Sequence, residues 1–369
     1  MKKFNLLTTL TLFFTFFLVL TGCGDDDDGD ERELEIPPTY ISSAYDDNVV
    51  AEATVIDELG AMTSDANDAE ANAQNTTVSA ITYPSNLSNV TLSSYRALVT
   101  DWLVELVASA NDDDGFQNPG PNGTPAAGEE GGLLGTRLLD ENGLELEQMV
   151  QKGSFGASLY NHALSVINAG NLTGDDIDKL VEIHGTEPTF NPDLTTQAAV
   201  YSRRRSNQTT QIGSFYEIRN SLITAKAAAE AIEDGGDFQD ELNDALDQYL
   251  LAWEESNFAT VIYYCNATRD QLLEAQGNDE ALGDALHAYA EGVGFAHGFK
   301  GVSNKLITDA EIDSILSKLL AEDGEIPESH RFLNEPSLLD DLQEIIDDIQ
   351  AIYDFTDAEV ASFFENDPM

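Results

Sequence analysis

Apolar residues recur at helical spacing along most of the chain beyond residue 45, while strand-like alternation is scarce. Such a pattern commits the backbone to helices that each bury one face. The clearest stripe is Tyr95, Leu98, Val99, Trp102, Leu103, Leu106 and Val107, behind Ser93 and Ser94, whose hydroxyls suit a helix cap. A second runs Leu242, Ala245, Leu246, Tyr249, Leu250 and Trp253 behind the acidic first turn Asp240-Glu241. Similar windows lie near 51–70, 145–168, 174–184, 195–233, 280–299, 309–320, 337–352 and 357–364. The spacing predicts an all-α fold of packed helical bundles. Residues 111–132, rich in Gly and Pro, read as a long surface loop, and 75–90 as a polar segment containing Pro84. No strong repeat of about 20–50 residues is present, which argues against a solenoid.

Charge narrows the partners. Lys and Arg number 17 against 68 Asp and Glu, a formal charge of -51. Nucleic acid is excluded as a partner, because affinity for phosphate backbones rests on cationic side chains, and an anionic membrane surface repels such a chain. Disorder is also excluded for most of the length, since a hydrophobic fraction of 42% with 17 Phe and 12 Tyr offsets chain entropy. Outside the extreme N-terminus the lysines are Lys152, Lys179, Lys226, Lys300, Lys305 and Lys318. A body so poor in cations repels itself at low ionic strength and gains from screening, which suits a saline habitat.

The N-terminus reads as an address. Met1-Lys2-Lys3 precedes an apolar run from Phe4 to Leu20, the n-region and h-region of a secretory signal. Leu20-Thr21-Gly22-Cys23 follows and resembles the lipobox of bacterial lipoproteins, in which the Cys is lipidated and becomes the mature N-terminus. The division expected is a signal peptide over 1–22, an acidic tether over 23–45 and an all-helical domain over 46–369, as one body or two packed bundles. The acidic run Gly24 to Glu31 resembles the export signal of surface lipoproteins in some Gram-negative phyla. The expectation is an outer-membrane lipoprotein exposed at the cell surface, with the periplasmic face as the alternative. Lipidation at Cys23 leaves Cys265 without a disulfide partner, as a small buried hydrophobe.

Chemistry has few places to sit. HExxH, GxSxG, a P-loop and CxxC are all absent, and Asp112-Asp113-Asp114-Gly115 lacks the EF-hand order. Of the five His, His184 and Glu187 are three apart, so imidazole and carboxylate share a face if their helix continues; Gly185 and Pro188 suggest that it ends there. His287, Glu291, Gly294 and Gly298 fall within about 60° of one another at 100° per residue. Glycines so placed mean that either a neighbouring helix or a ligand approaches closely. His162 reads as core or surface, His330 receives no role, and Arg203-Arg204-Arg205 is expected to pair with the protein's own carboxylates.

At these residues the sequence resembles the imelysin-like family of exported bacterial proteins, in its branch of lipoproteins. The similarity is carried by Gln148 to Gly153 with Gly156-Ala157, by His184-x-x-Glu187, by Trp253-Glu254 followed by Ala259-Thr260-Val261-Ile262, and by Ala290-Glu291-Gly292-x-Gly294-Phe295-Ala296. The resemblance implies an all-helical fold with a cleft between halves, and a Gly-x-His-x-x-Glu element associated with metal. Some members are described as peptidases and others are linked to iron uptake. Only His184 and Glu187 match the element; Glu182 stands at its Gly, and Tyr263 where relatives of this branch carry His. The expected site is therefore His184, Glu187, His287 and Glu291 around a divalent metal, iron or zinc. The leading functional expectation is a non-enzymatic lipoprotein that binds a metal or metal complex for an uptake receptor. The alternatives are a metallopeptidase with Glu187 or Glu291 as general base, and a structural or adhesion lipoprotein.

Overall fold

The stripes become helices close to where the periodicity puts them. A computed structural model of the chain describes residues 33–322 and 324–367; the expected signal peptide, Cys23 and the first part of the tether lie outside the described residues. In chain order come α1 (Tyr45–Asn48), α2 (Val50–Asn72), α3 (Ser85–Val90) and α4 (Ser93–Asn111). After the irregular segment 112–131, β1 (Gly132–Leu134) and β2 (Arg137–Leu139) form an antiparallel hairpin with Gly132 opposite Leu139. Then follow α5 (Leu146–Ser154), a π-helical turn (Phe155–Tyr160), α6 (Asn161–Ile167), α7 (Gly174–His184) and α8 (Gln197–Arg204). A second small hairpin, β3 (Ser206–Asn207) with β4 (Ile212–Gly213), leads into α9 (Ser214–Glu233) and α10 (Gln239–Ala275). The chain continues through α11 (Asp279–Gly298), α12 (Asp309–Lys318), α13 (Leu338–Tyr353) and α14 (Asp357–Phe363). The fold is all-α.

The central element is α10, 37 residues long and so about 55 Å from end to end at 1.5 Å per residue. Its middle is apolar on nearly every side, with Tyr249, Trp253, Phe258, Val261 and Ile262 all buried, as a helix enclosed by others requires. It packs against α9, α11 and α13. Glu254 is its buried charged residue: its carboxylate accepts hydrogen bonds from the amides of Leu306 and Ile307 at 2.9 and 2.8 Å and from the Tyr353 hydroxyl at 2.7 Å. A buried acid satisfied on three sides ties α10 to α13 and to the loop before α12.

The packed body starts earlier than residue 46. Tyr40 and Tyr45 are buried, and the fully buried Asp178 of α7 accepts from Tyr40 Oη at 2.6 Å, Ser42 Oγ at 2.7 Å and Asn48 Nδ2 at 2.8 Å. Lys226 of α9 closes this node with Nζ 3.0 Å from Asp178. The tether boundary expected at 45 is thus corrected to about Tyr40, and Leu34 onward forms one contact unit. No described helix is long and apolar enough to cross a membrane.

Each described lysine has a carboxylate partner. Lys152, Lys179, Lys226, Lys300, Lys305 and Lys318 pair with Glu291, Asp176, Asp178, Asp313, Asp309 and Asp348 respectively. The arginine run fastens the C-terminal segment: Arg203 pairs with Asp367 at 2.7 Å, Arg205 donates to the Phe363 carbonyl and the Asn366 side chain, and Arg204 lies over Tyr201.

Candidate functional site

The end of α7 parts the first expected pair. A capping box of Thr173 and Asp176 starts this helix, and Gly185 in the left-handed region, φ 95°, stops it at His184. A side chain at Gly185 is barred twice, by that φ and because its Cβ would lie 2.2 Å from the Thr196 carbonyl. Glu187 therefore follows the turn instead of the helix. Half-buried, it accepts from the Thr189 amide at 3.1 Å, from the Thr189 hydroxyl and from the Asn191 amide at 3.4 Å.

His184 goes inward. It is fully buried, its ring 4.9 Å from that of Trp253 and 6.5 Å from that of Tyr249. Its Nε2 lies 3.0 Å from Ser202 Oγ, whose own proton is directed at the Ala199 carbonyl at 3.2 Å. The ring then donates from Nε2, and Nδ1 is left as a buried lone pair with no hydrogen-bond partner. Burial pushes this imidazole down to about 3, so it stays neutral. The residues do not fit the metal that the resemblance implies: one nitrogen is engaged, the other faces no carboxylate, and Glu187 caps its own loop.

The second expected pair does meet, inside a larger arrangement. The segment Gln148 to Gly153 of α5 lies directly on the glycines of α11. A Cβ at Gly298 would sit 2.2 Å from the Gly153 carbonyl oxygen, and one at Gly294 2.8 Å from that of Gln148. Of the two explanations for these glycines, close approach of a neighbouring helix is the one realised.

Charged groups line this seam. His287 Nδ1 is 2.7 Å from Glu145, the residue just before α5, and His287 Nε2 is 3.5 Å from Glu291. Lys152 Nζ is 3.2 Å from the other oxygen of Glu291 and 5.4 Å from the Tyr201 ring centre. Glu147 accepts from the Gln148 side chain. Glu145, Glu147, Lys152 and Glu291 are buried, while the His287 side chain keeps 22% of its surface. The order Glu145, His287, Glu291, Lys152 alternates in sign, with Glu147 beside Lys152.

Burial sets the protonation of this chain. It pushes Glu145 up to about 7, against the opposing pull of His287. It does the same to Glu147, also to about 7, against Lys152. For His287 burial works downward, but the bond to Glu145 and the field of Glu291 prevail and raise it. Lys152 is likewise raised, because Tyr201, Glu291 and Glu147 outweigh its desolvation.

His287 thus engages two carboxylates through two different nitrogens, and the Lys152 ammonium already serves Glu291. Among the described residues no three His, Cys, Asp or Glu side chains converge so as to hold a metal, and no hydrogen bond or ion pair joins this chain to His184. Glu145 and Lys152 were missed by sequence reasoning. Glu145 lies 142 positions from His287, and its only local signal is an acid set between Leu144 and Leu146. Lys152 stood out among the few lysines and within the Gln148 to Gly153 stretch, but without a site role.

Two other histidines have structural places. His297 packs on the rings of Tyr95 and Trp102, and buried His330 approaches the Asn142 carbonyl at 3.2 Å.

No family model matches the chain, and no curated protein and no solved structure matches it.

Proposed function

We propose that this chain is an exported lipoprotein, anchored through Cys23 in the outer membrane with its body at the cell surface, which serves an uptake system as a non-enzymatic binding component. The observation that supports binding is the α5–α11 chain. It buries three carboxylates, Glu145, Glu147 and Glu291, with one lysine and one histidine, and reaches solvent through His287. Burying an excess of one sign is costly, and such clusters concentrate at functional sites. The acids outnumber the bases three to two, and once Glu145 and Glu147 lose their protons above about 7 the excess is negative, so the ligand class is cationic. With both His287 nitrogens engaged and Lys152 on Glu291, the arrangement favours a positively charged metal complex over a bare ion ligated by His184, Glu187, His287 and Glu291. A metallopeptidase would need a base and a metal-bound water at one point, and the turn at Gly185 takes Glu187 away from His184.

The test uses hexaamminecobalt(III), a complex too inert to exchange its ligands, titrated calorimetrically into the full chain. The expected result is binding that weakens several-fold in Glu145→Gln and as salt rises, with no cleavage of casein. Absence of binding overturns the reading, and casein cleavage that is lost in Glu291→Gln overturns its non-enzymatic part. For the anchor, Cys23→Ser is expected to move the protein out of the membrane fraction; retention there overturns lipidation.

A further inference from the structure

A different pair of residues carries a ligand reading independent of the α5–α11 chain. Glu52 stands in the first turn of α2 and is only 6% exposed. Its Oε2 is shielded from solvent and receives no hydrogen bond, and its Oε1 lies 3.8 Å from Nε2 of His162 on α6. That separation is too long for a hydrogen bond, so a buried carboxylate faces an imidazole without being satisfied by it. The His162 side chain is itself only 16% exposed, and in its neutral form the ring offers the lone pair that a metal takes.

We propose that Glu52 and His162 form a binding site for a divalent transition-metal ion between α2 and α6. An ion bonded to nitrogen and oxygen at about 2.1 Å each can bridge atoms up to about 4.2 Å apart, and 3.8 Å lies within that reach. One imidazole and one carboxylate suit zinc, nickel or copper. No third His, Cys, Asp or Glu among the described residues completes the set, so the other positions fall to water and the ion is exchangeable. Charge around the pair acts in both directions. Glu182 of α7, within the field of Glu52, Asp57 and Asp46, adds negative potential. Lys179, held to Asp176 at 2.7 Å, opposes the ion. The π-helical turn ends at Tyr160, two residues before His162. Its wider winding changes the phase between α5, which faces α11, and α6, and turns of this kind recur at functional sites.

The experiment is a zinc titration of the full chain near neutral pH, followed by calorimetry. One ion per molecule is expected, with affinity lowered about tenfold or more in His162→Ala and in Glu52→Gln. Lys179→Gln removes a like charge and is expected to tighten binding, while His184→Ala leaves it unchanged. No binding by the wild type, or binding unaffected by His162→Ala, overturns the site. Because Glu52 is buried and its replacement also changes packing, the wild type is followed in addition by nitrogen NMR of its histidine rings. Zinc is expected to shift Nε2 of His162; a shift confined to another histidine overturns the assignment.

Discussion

Two histidines, each three or four residues before a glutamate, meet opposite fates. His184 ends α7 and is buried among Trp253, Tyr249 and Ser202 with no charged neighbour in contact; His287 sits within α11 and is held between two carboxylates. The difference lies in the backbone after the histidine. Gly185 turns the chain before Glu187 can come round, whereas α11 continues for more than two turns beyond His287 and delivers Glu291 to the same face. Burial alone makes an imidazole inert, and burial opposite acids keeps it charged.

The harshest way to break the charged side of this contrast is Lys152→Met. The methionine keeps the apolar stem but leaves Glu291 and Glu147 with an uncompensated charge in the interior, a loss of about 3–5 kcal/mol. Urea unfolding at neutral pH measures it. A loss under about 1 kcal/mol would mean that solvent reaches the seam and screens it as at a surface. Next in size is Gly298→Ala, which presses a methyl on the Gly153 backbone. Overpacking of this kind costs about 1–3 kcal/mol, and the same change at Gly60 of α2, a helical glycine whose added Cβ would meet only the Gln197 side chain at an ordinary 3.6 Å, isolates the helix-contact part.

Acidity separates the regions by sign. Glu145 and Glu147 titrate near 7 in the fold against an ordinary 4.5. The native state therefore holds protons that the unfolded chain has released, and the stability they confer is full below about 4.5 and is lost as pH rises through 7. His184 works in reverse: at about 3 in the fold against an ordinary 6.5, it resists a proton that the unfolded chain accepts, so its stabilisation is present above 6.5 and fades as pH falls toward 3. Glu145→Gln is expected to remove a fall in melting temperature between about pH 4.5 and 7. His184→Phe is expected to remove a rise in melting temperature between about pH 3 and 6.5. If either variant removed the change of opposite sign, the assignment of the two effects would be reversed.

Helices were legible because a 3.6-residue period repeats many times within each one, and α7 begins and ends where its stripe does. The hairpin β3–β4 inside the stretch read as continuous helix from 195 to 233 was not, since two-residue strands have no period to detect. The base of the tether was misplaced for a related reason: Tyr40 and Ser42 are held by hydrogen bonds to a single distant acid, Asp178, and not by a pattern of their own. Within the candidate site, the glycines of α11 announced a close approach, and the approach is by α5. Its electrostatic half was hidden, because Glu145 and His287 belong to separate segments that only the fold joins. Glu52 and His162 were hidden in the same way, one in an acidic first turn and the other among small residues.

The smallest expected effect is at Glu187, and it bears most directly on the comparison. If the spacing to His184 mattered chemically, Glu187→Ala would disturb a buried imidazole and change its titration. As the chain runs, Glu187 holds only the amides of Thr189 and Asn191 and the Thr189 hydroxyl on a half-buried turn, so its loss should stay within about 0.5–1.5 kcal/mol. The His184 ring signals in NMR should not move. A double-mutant cycle of His184→Phe with Glu187→Ala should then be additive within about 0.5 kcal/mol, as for sites without shared partners. A larger coupling would bring the two side chains back into one unit and dissolve the distinction between a histidine sealed by the end of its helix and one kept in service by its continuation.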